Sequence, residues 1–312
     1  MSPANPEPKS EPSPADVVSS LRRAGQTGPR FRVLPHEWSF GAFLVITWVR
    51  LVSETGLVGL HSLIFLGCIL GAVGACAWAH QSPTDLRWRV RLLCFPALVG
   101  VTFYALGSAV PLLTSRRFDT LLLDWDNALL GTTPAVSYQA WNWPWFNDLL
   151  MLGYLFFFVH LVVGPGIYCV RDLARFRQCI VGLFTLYGVG LLSYTLVPAG
   201  GPHRWMTFDA PLSGVIVLPA TLDMVNAGSN GVDVFPSLHL AVSFYLLVFD
   251  WWHARTRFWI VLAPCILLWL STVLLRFHYF VDLIGGLLLA ILGLIAAKSF
   301  GKRWGATDLP QH

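Results

Sequence analysis

Arg276-Phe277-His278-Tyr279-Phe280-Val281-Asp282, running directly into Leu283-Ile284-Gly285-Gly286, is the stretch on which the reading of this chain turns. It sets a histidine and an aspartate four residues apart at the mouth of an apolar run long enough to cross a bilayer. A second stretch, Phe235-Pro236-Ser237-Leu238-His239, opens another apolar run with another histidine. Ionisable groups at membrane depth are costly, so their gathering at segment ends points to chemistry rather than to packing.

Composition sets the environment of both stretches. Hydrophobic residues make up 55% of the chain and charged residues 12%, whereas soluble domains carry about 25% charged residues. A soluble globular protein is thereby excluded. Apolar runs at about residues 39–53, 57–79, 90–113, 149–170, 178–197, 235–252, 258–275 and 279–299 approach the ~20 residues that a membrane-crossing helix needs. They predict an all-α integral membrane protein with eight spans. The first is the weakest, because it is short and contains Arg50; it either lies along the interface or crosses with the arginine snorkelling.

The net charge of +4 is a topology signal rather than a nucleic-acid one, because the 21 Lys and Arg residues are unevenly placed. Most fall before residue 39, at Arg87, Arg89 and Arg91, at Arg171, Arg175 and Arg177, at Arg255 and Arg257, and at Lys298, Lys302 and Arg303. The positive-inside rule then predicts that both termini are cytoplasmic, in a plasma or inner membrane, with both histidine stretches facing the other side. Residues 1–37, rich in Pro, Ser, Ala and charge and lacking an apolar signal-peptide core, are expected to be a disordered cytoplasmic tail. Residues 38–80 hold two N-terminal transmembrane helices, 81–300 the membrane domain with the histidines, and 301–312 a second cytoplasmic tail. The six cysteines sit in or beside apolar runs without metal-type spacing and read as packing residues.

Two connections on the non-cytoplasmic side are long, about residues 114–148 and 198–234, and long ordered loops usually carry function. The first holds Arg116, Arg117, Asp119, Asp124 and Asp126, then Trp141-Asn142-Trp143-Pro144-Trp145-Phe146, an aromatic density that suits an interfacial anchor. Asp124 and Asp126 lack a third ligand, so they read as a solvated helix face before a metal site. The second opens with Pro198-Ala199-Gly200-Gly201-Pro202-His203-Arg204. Its glycines allow close backbone approach, and Arg204, with His203 beside it, offers a fork of donors to a phosphate.

Pro236 suits the first turn of a helix in which Ser237 and His239 follow, where free backbone N–H groups and the serine hydroxyl form an anion site. His278 and Asp282 would share one helix face, with the carboxylate fixing the imidazole tautomer. Metal ligation by His239, His278 and Asp282 is possible by residue type, but Arg204 and Arg276 repel a cation and favour a phosphate.

These residues resemble the type-2 phosphatidate phosphatase and haloperoxidase superfamily, in particular its branch of inositol phosphorylceramide synthases and related inositolphosphotransferases. The resemblance covers roughly residues 90–299 and rests on Pro236-Ser237-x-His239 and on the run from Ser271-Thr272 through His278 and Asp282 to Gly286. The stretches Asp124 to Gly131 and Pro198 to Arg204 are looser features of the same branch. The resemblance implies a six-helix core formed by spans three to eight, with two extra helices before it. It also implies that His278 attacks phosphorus to form a phosphohistidine, that Asp282 orients it, and that His239 protonates the leaving group and then activates the acceptor. No metal or organic cofactor is implied.

Broad phosphatase members carry a Lys motif and an Arg six residues before the nucleophile. Here Lys occurs only at 9, 298 and 302, and Thr272 stands in the arginine's place. Arg204 and Arg276, with Ser237 and His203 assisting, are therefore the candidate phosphate clamp, and the synthase branch is the closer match. The expected function is transfer of a phospho-headgroup such as phosphoinositol between lipids. The alternatives are hydrolysis of phosphatidate or a prenyl (di)phosphate, and a non-catalytic transporter or scaffold. The last would line several spans with polar groups through the full membrane depth, and apart from His160 and the boundary residues they are not so lined.

Overall fold

Proline and acidic residues mark where most of the long helices begin. The computed structural model describes residues 33–82 and 84–304, the last two by backbone alone. The two expected tails therefore lie almost wholly outside the described residues, although a helix already claims residues 35–37. Among the described residues there are helices and one isolated parallel bridge, Ala199 to Asp233, but no strands.

The long helices are α1 (Pro35–Thr55), α2 (Leu60–Gln81), α3 (Asp85–Leu113), α6 (Pro144–Arg171), α7 (Leu173–Leu196), α10 (Leu238–His253), α11 (Arg255–Leu274) and α12 (Phe280–Trp304). The two long connections are themselves partly helical, with α4 (Asp119–Leu130) and α5 (Pro134–Tyr138) in the first and α8 (Pro202–Trp205) and α9 (Val217–Gly228) in the second. Pro35 and Pro144 sit in the first turns of α1 and α6, where a missing N–H costs nothing. Asp172 ends α6 and starts α7, its carboxylate accepting the Arg175 amide at 2.9 Å.

Six helices are long and apolar enough to cross a membrane: α2, α3, α6, α7, α11 and α12. Two of the eight expected spans differ. Helix α1 has the length but carries Glu37, Arg50 and Glu54, the first two of which are tied into the protein. Glu37 meets Arg91 of α3 through 2.5 and 2.6 Å contacts, both side chains only 6% exposed, and Arg50 donates to the Thr195 hydroxyl at 3.0 Å. Helix α10 begins at Leu238 rather than 235 and has 16 residues, about 24 Å at 1.5 Å per residue. It falls short of the ~30 Å hydrocarbon layer, and a non-helical segment with bends at Phe235 and Pro236 precedes it.

Helix α7 forms the centre. In its apolar window 78% of residues are buried inside the protein, against 28–44% in the other five candidate spans, whose outer faces are left for lipid. Small residues let neighbouring backbones close on it. A Cβ on Gly188 would stand 2.6 Å from the Phe40 nitrogen of α1, and one on Gly182 would stand 2.6 Å from the Gly293 carbonyl of α12.

The second connection is tied to the start of α6. Asp148 accepts the amides of Val215, Ile216 and Leu218 at 2.7–3.2 Å, which caps α9, and Asn147 donates to the Ser213 carbonyl at 2.7 Å. Both long connections, the start of α10 and the turn between α11 and α12 therefore meet at one end of the bundle.

Candidate active site

The turn that carries His278 is shaped by a single carbonyl. Thr272, the last turn of α11, accepts the amides of Phe277 at 3.0 Å and His278 at 2.8 Å. Arg276 absorbs the reversal at φ 70, a left-handed conformation uncommon in a residue with a side chain. Contacts on both sides hold it there. Its carbonyl accepts the His203 amide at 2.8 Å and lies 3.2 Å from His203 Nδ1, while its buried guanidinium lies 3.8 Å over the Phe208 ring and donates Nη2 to the Ala210 carbonyl at 3.0 Å.

Helix α12 starts at Phe280, so His278 lies outside it and the expected shared helix face with Asp282 does not form. The contact forms nevertheless. Asp282 reaches back to the turn, its Oδ2 accepting the Tyr279 amide at 2.8 Å and standing 3.3 Å from His278 Nδ1. A carboxylate in the first helical turn captures donors that precede it, which aligns the pair without continuous helix. The next two amides, Phe280 and Val281, both donate to Asp126 of α4 at 2.9 Å, and the Thr133 hydroxyl donates to it at 2.7 Å.

Asp126 is thus no solvated helix face; it is buried and caps the helix that positions the histidine. Asp119, also buried, accepts the amides of Gly200 at 2.8 Å and Gly201 at 2.9 Å and the Tyr279 hydroxyl at 3.3 Å, which locks the second connection to the same turn. Neither role was legible beforehand, because a carboxylate in sequence does not reveal which distant amides it will meet. Replacing Asp126 by Ala is expected to cost roughly 1–3 kcal/mol by stranding buried donors. Thermal unfolding in detergent measures it, and an unchanged melting temperature would mean that α12 is held otherwise.

The second histidine stretch also differs locally from expectation. Pro236 follows a cis Phe235–Pro236 bond ahead of α10 rather than sitting in its first turn, and Ser237 is the N-cap. The Ser237 amide donates to the Asp282 carbonyl at 3.0 Å, and its hydroxyl oxygen accepts the Leu240 amide at 3.4 Å. The two stretches are therefore joined backbone to backbone. His239 lies between the rings of Tyr154 and Phe157 of α6, with centroids 4.8 and 4.6 Å away.

The two histidines meet: His239 Nδ1 stands 3.3 Å from His278 Nε2. With Asp282 Oδ2 accepting from His278 Nδ1–H, the His278 Nε2 carries a lone pair, so the shared proton resides on His239 Nδ1. Burial holds His278 down to about 4, against the opposing pull of Asp233 and a hydrogen bond to the Val234 carbonyl, so the ring is neutral at pH 7. His203 is likewise held to about 4, by burial and then by Arg204. As a neutral ring it donates Nδ1–H to the Arg276 carbonyl and accepts Arg204 Nε–H on Nε2 at 3.1 Å. Two buried polar atoms beside His278 have no partner among the described residues, Arg276 Nε and Asp282 Oδ1. Orphaned groups of this kind call for an explanation.

The family model of the PAP2 superfamily matches residues 120–296, more than half of the chain and the whole of this histidine arrangement. The chain belongs to the PAP2 superfamily. No curated protein and no solved structure matches it. Membership supports a lipid phosphatase or phosphotransferase type of activity and agrees with the all-α membrane architecture. Within the matched span, this PAP2 chain brings together His239, His278, Asp282, Ser237 and Arg276, with His203 buttressing Arg276. Arg204 stands further out, donating Nη2 to the carbonyls of Asn226 at 3.0 Å and Ser229 at 3.3 Å.

Proposed function

We propose that this PAP2 protein is a metal-independent lipid phosphotransferase that works through a phosphohistidine on His278 and moves a phospho-headgroup, phosphoinositol being the leading candidate, from one lipid to the hydroxyl of another. The continuous chain Asp282–His278–His239 is the observation that carries this reading. His278 Nε2 attacks phosphorus, the bond to the leaving oxygen breaks, and that oxygen takes the Nδ1 proton of a His239 held as imidazolium by the bound phosphate's negative charge, which leaves a neutral ring. The acceptor hydroxyl then attacks the phosphohistidine, His239 Nδ1 takes up its proton, and the P–N electron pair returns to Nε2.

Arg276 Nε is the donor we assign to the transferred phosphate, assisted by the Ser237 hydroxyl. A phosphodiester brings one negative charge, which one buried arginine matches; a phosphomonoester brings about two and would ask for more. His278 is 3% exposed and Asp282 0%, so the site holds little water to compete with a lipid alcohol. By the positive-inside distribution, the site faces the non-cytoplasmic side.

Purified protein in detergent, given labelled phosphatidylinositol, phosphatidate or a prenyl diphosphate with and without ceramide or diacylglycerol, tests the reading. Label is expected in a lipid product that forms only with acceptor. Release of water-soluble phosphate irrespective of acceptor would replace transfer by hydrolysis, and no turnover of any of the lipids would remove both.

A further inference from the structure

A second pair of cations, unused by the histidine chemistry, is drawn together by the two long connections. Arg117 donates Nη2 to the Gly231 carbonyl at 2.7 Å. Arg204 is held by three acceptors, His203 Nε2 and the carbonyls of Asn226 and Ser229. Both side chains pack against Gly200, and both guanidinium groups reach Gly231. A Cβ on Gly200 would stand 2.9 Å from Arg117 Nη2 and 3.4 Å from Arg204 Cβ, and one on Gly231 would stand 3.2 Å from Arg204 Nη1.

Among the described residues one carboxylate reaches this pair: Asp119 Oδ2, 3.7 Å from Arg117 Nε, and that group already accepts the amides of Gly200 and Gly201. Neither Nη1 has a hydrogen-bond partner among the described residues. Because carbonyls already fix both side chains, binding an anion costs little further rotamer freedom. Planar forks of this kind suit phosphate oxygens.

We propose that Arg117 and Arg204 form an anion site separate from the histidine pair, which takes a phosphate group other than the one attacked. The proposal rests on the phosphotransfer reading only for where that phosphate comes from: a second phosphate on the substrate itself, or the headgroup of an anionic lipid beside it. Arg204 is joined to the reactive turn through His203 and the Arg276 carbonyl, so an occupied site would border the one that reacts.

Two measurements on the full chain test it. In neutral detergent, inorganic pyrophosphate is expected to raise the melting temperature of the wild type and to lose most of that effect in Arg117→Gln. An equal rise in both proteins, or a rise in neither, overturns the site. For turnover, a lipid monophosphate is compared with the diphosphate of the same chain in detergent, and the monophosphate is compared in phosphatidylcholine vesicles with and without phosphatidylglycerol.

The wild type is expected to prefer the diphosphate or the phosphatidylglycerol vesicles, which identifies the source. Arg117→Gln is expected to reduce that preference roughly tenfold or more, the scale of a lost hydrogen bond to a charged group. Gly200→Ala, which displaces Arg117 Nη2 without removing charge, should reduce it in the same direction. If the wild type turns over no lipid, the phosphotransfer reading fails while the pyrophosphate result still decides the site. If turnover proceeds and no preference depends on Arg117, the site fails and the reading stands.

Discussion

Exchanging His278 for alanine is expected to lower kcat on the order of 10⁴-fold or more while the protein still folds. The reasons are geometric and electrostatic together. Asp282 holds Nδ1 and burial keeps the ring neutral, so Nε2 presents a lone pair at the centre of the site. No neighbouring group can replace it, because His239 offers a proton at that point rather than a lone pair. Loss of the nucleophile should also abolish an acid-labile, base-stable phosphoryl adduct on the protein. His239→Ala behaves differently, since a substrate with a good leaving group should still charge His278 and the adduct should then persist. Near-normal turnover by folded His278→Ala would remove the phosphohistidine mechanism altogether.

Asp282→Asn should also be costly, on the order of 10²- to 10⁴-fold in kcat with little change in KM, although it changes no charge on the substrate's side of the ring. The asparagine oxygen, in the place of Asp282 Oδ2, would keep both the Tyr279 amide at 2.8 Å and His278 Nδ1 at 3.3 Å, but the negative charge opposite the ring would be gone. The imidazolium that forms as His278 Nε2 bonds to phosphorus then lacks its counter-charge, and the barrier rises without a change of tautomer. A structural role alone predicts lowered stability with preserved turnover. Measuring kcat, KM and melting temperature on the same preparation separates the two, and a kcat loss below tenfold would rule out charge stabilisation by Asp282.

Hydropathy alone was enough to read the membrane character, because partition into a bilayer depends on local apolar content. Six of the eight apolar runs are indeed spans by length and composition. The two exceptions have physical causes. In α1, buried partners for Glu37 and Arg50 come from α3 and α7, and no window along the chain contains them. In α10, the non-helical entry through Val234, Phe235 and Pro236 shortens the helix inside a run that apolar content alone marks as one span.

The site divides along the same line. Pro236-Ser237-x-His239 and His278 with Asp282 were legible because their residue types are costly in an apolar chain. The roles of the carboxylates were not, since Asp126 was read as facing water and instead caps α12 across 154 residues of chain. Arg276 was a candidate from its position alone, whereas its left-handed backbone, its ring contact with Phe208 and its unpaired Nε depend on the packed loops.

By itself, then, the sequence determined that this is a helical membrane protein and which side chains can carry phosphoryl chemistry, because both follow from residue type and short spacing. Only the tertiary structure decided that His239 and His278 touch, 39 residues apart, and that Asp119 and Asp126 hold the turn between α11 and α12. It also decided that Arg117 and Arg204 converge on Gly200 and Gly231. Such contacts are set by how helices cross and which amides their ends leave unpaired, and this is a property of the packed bundle rather than of any local stretch.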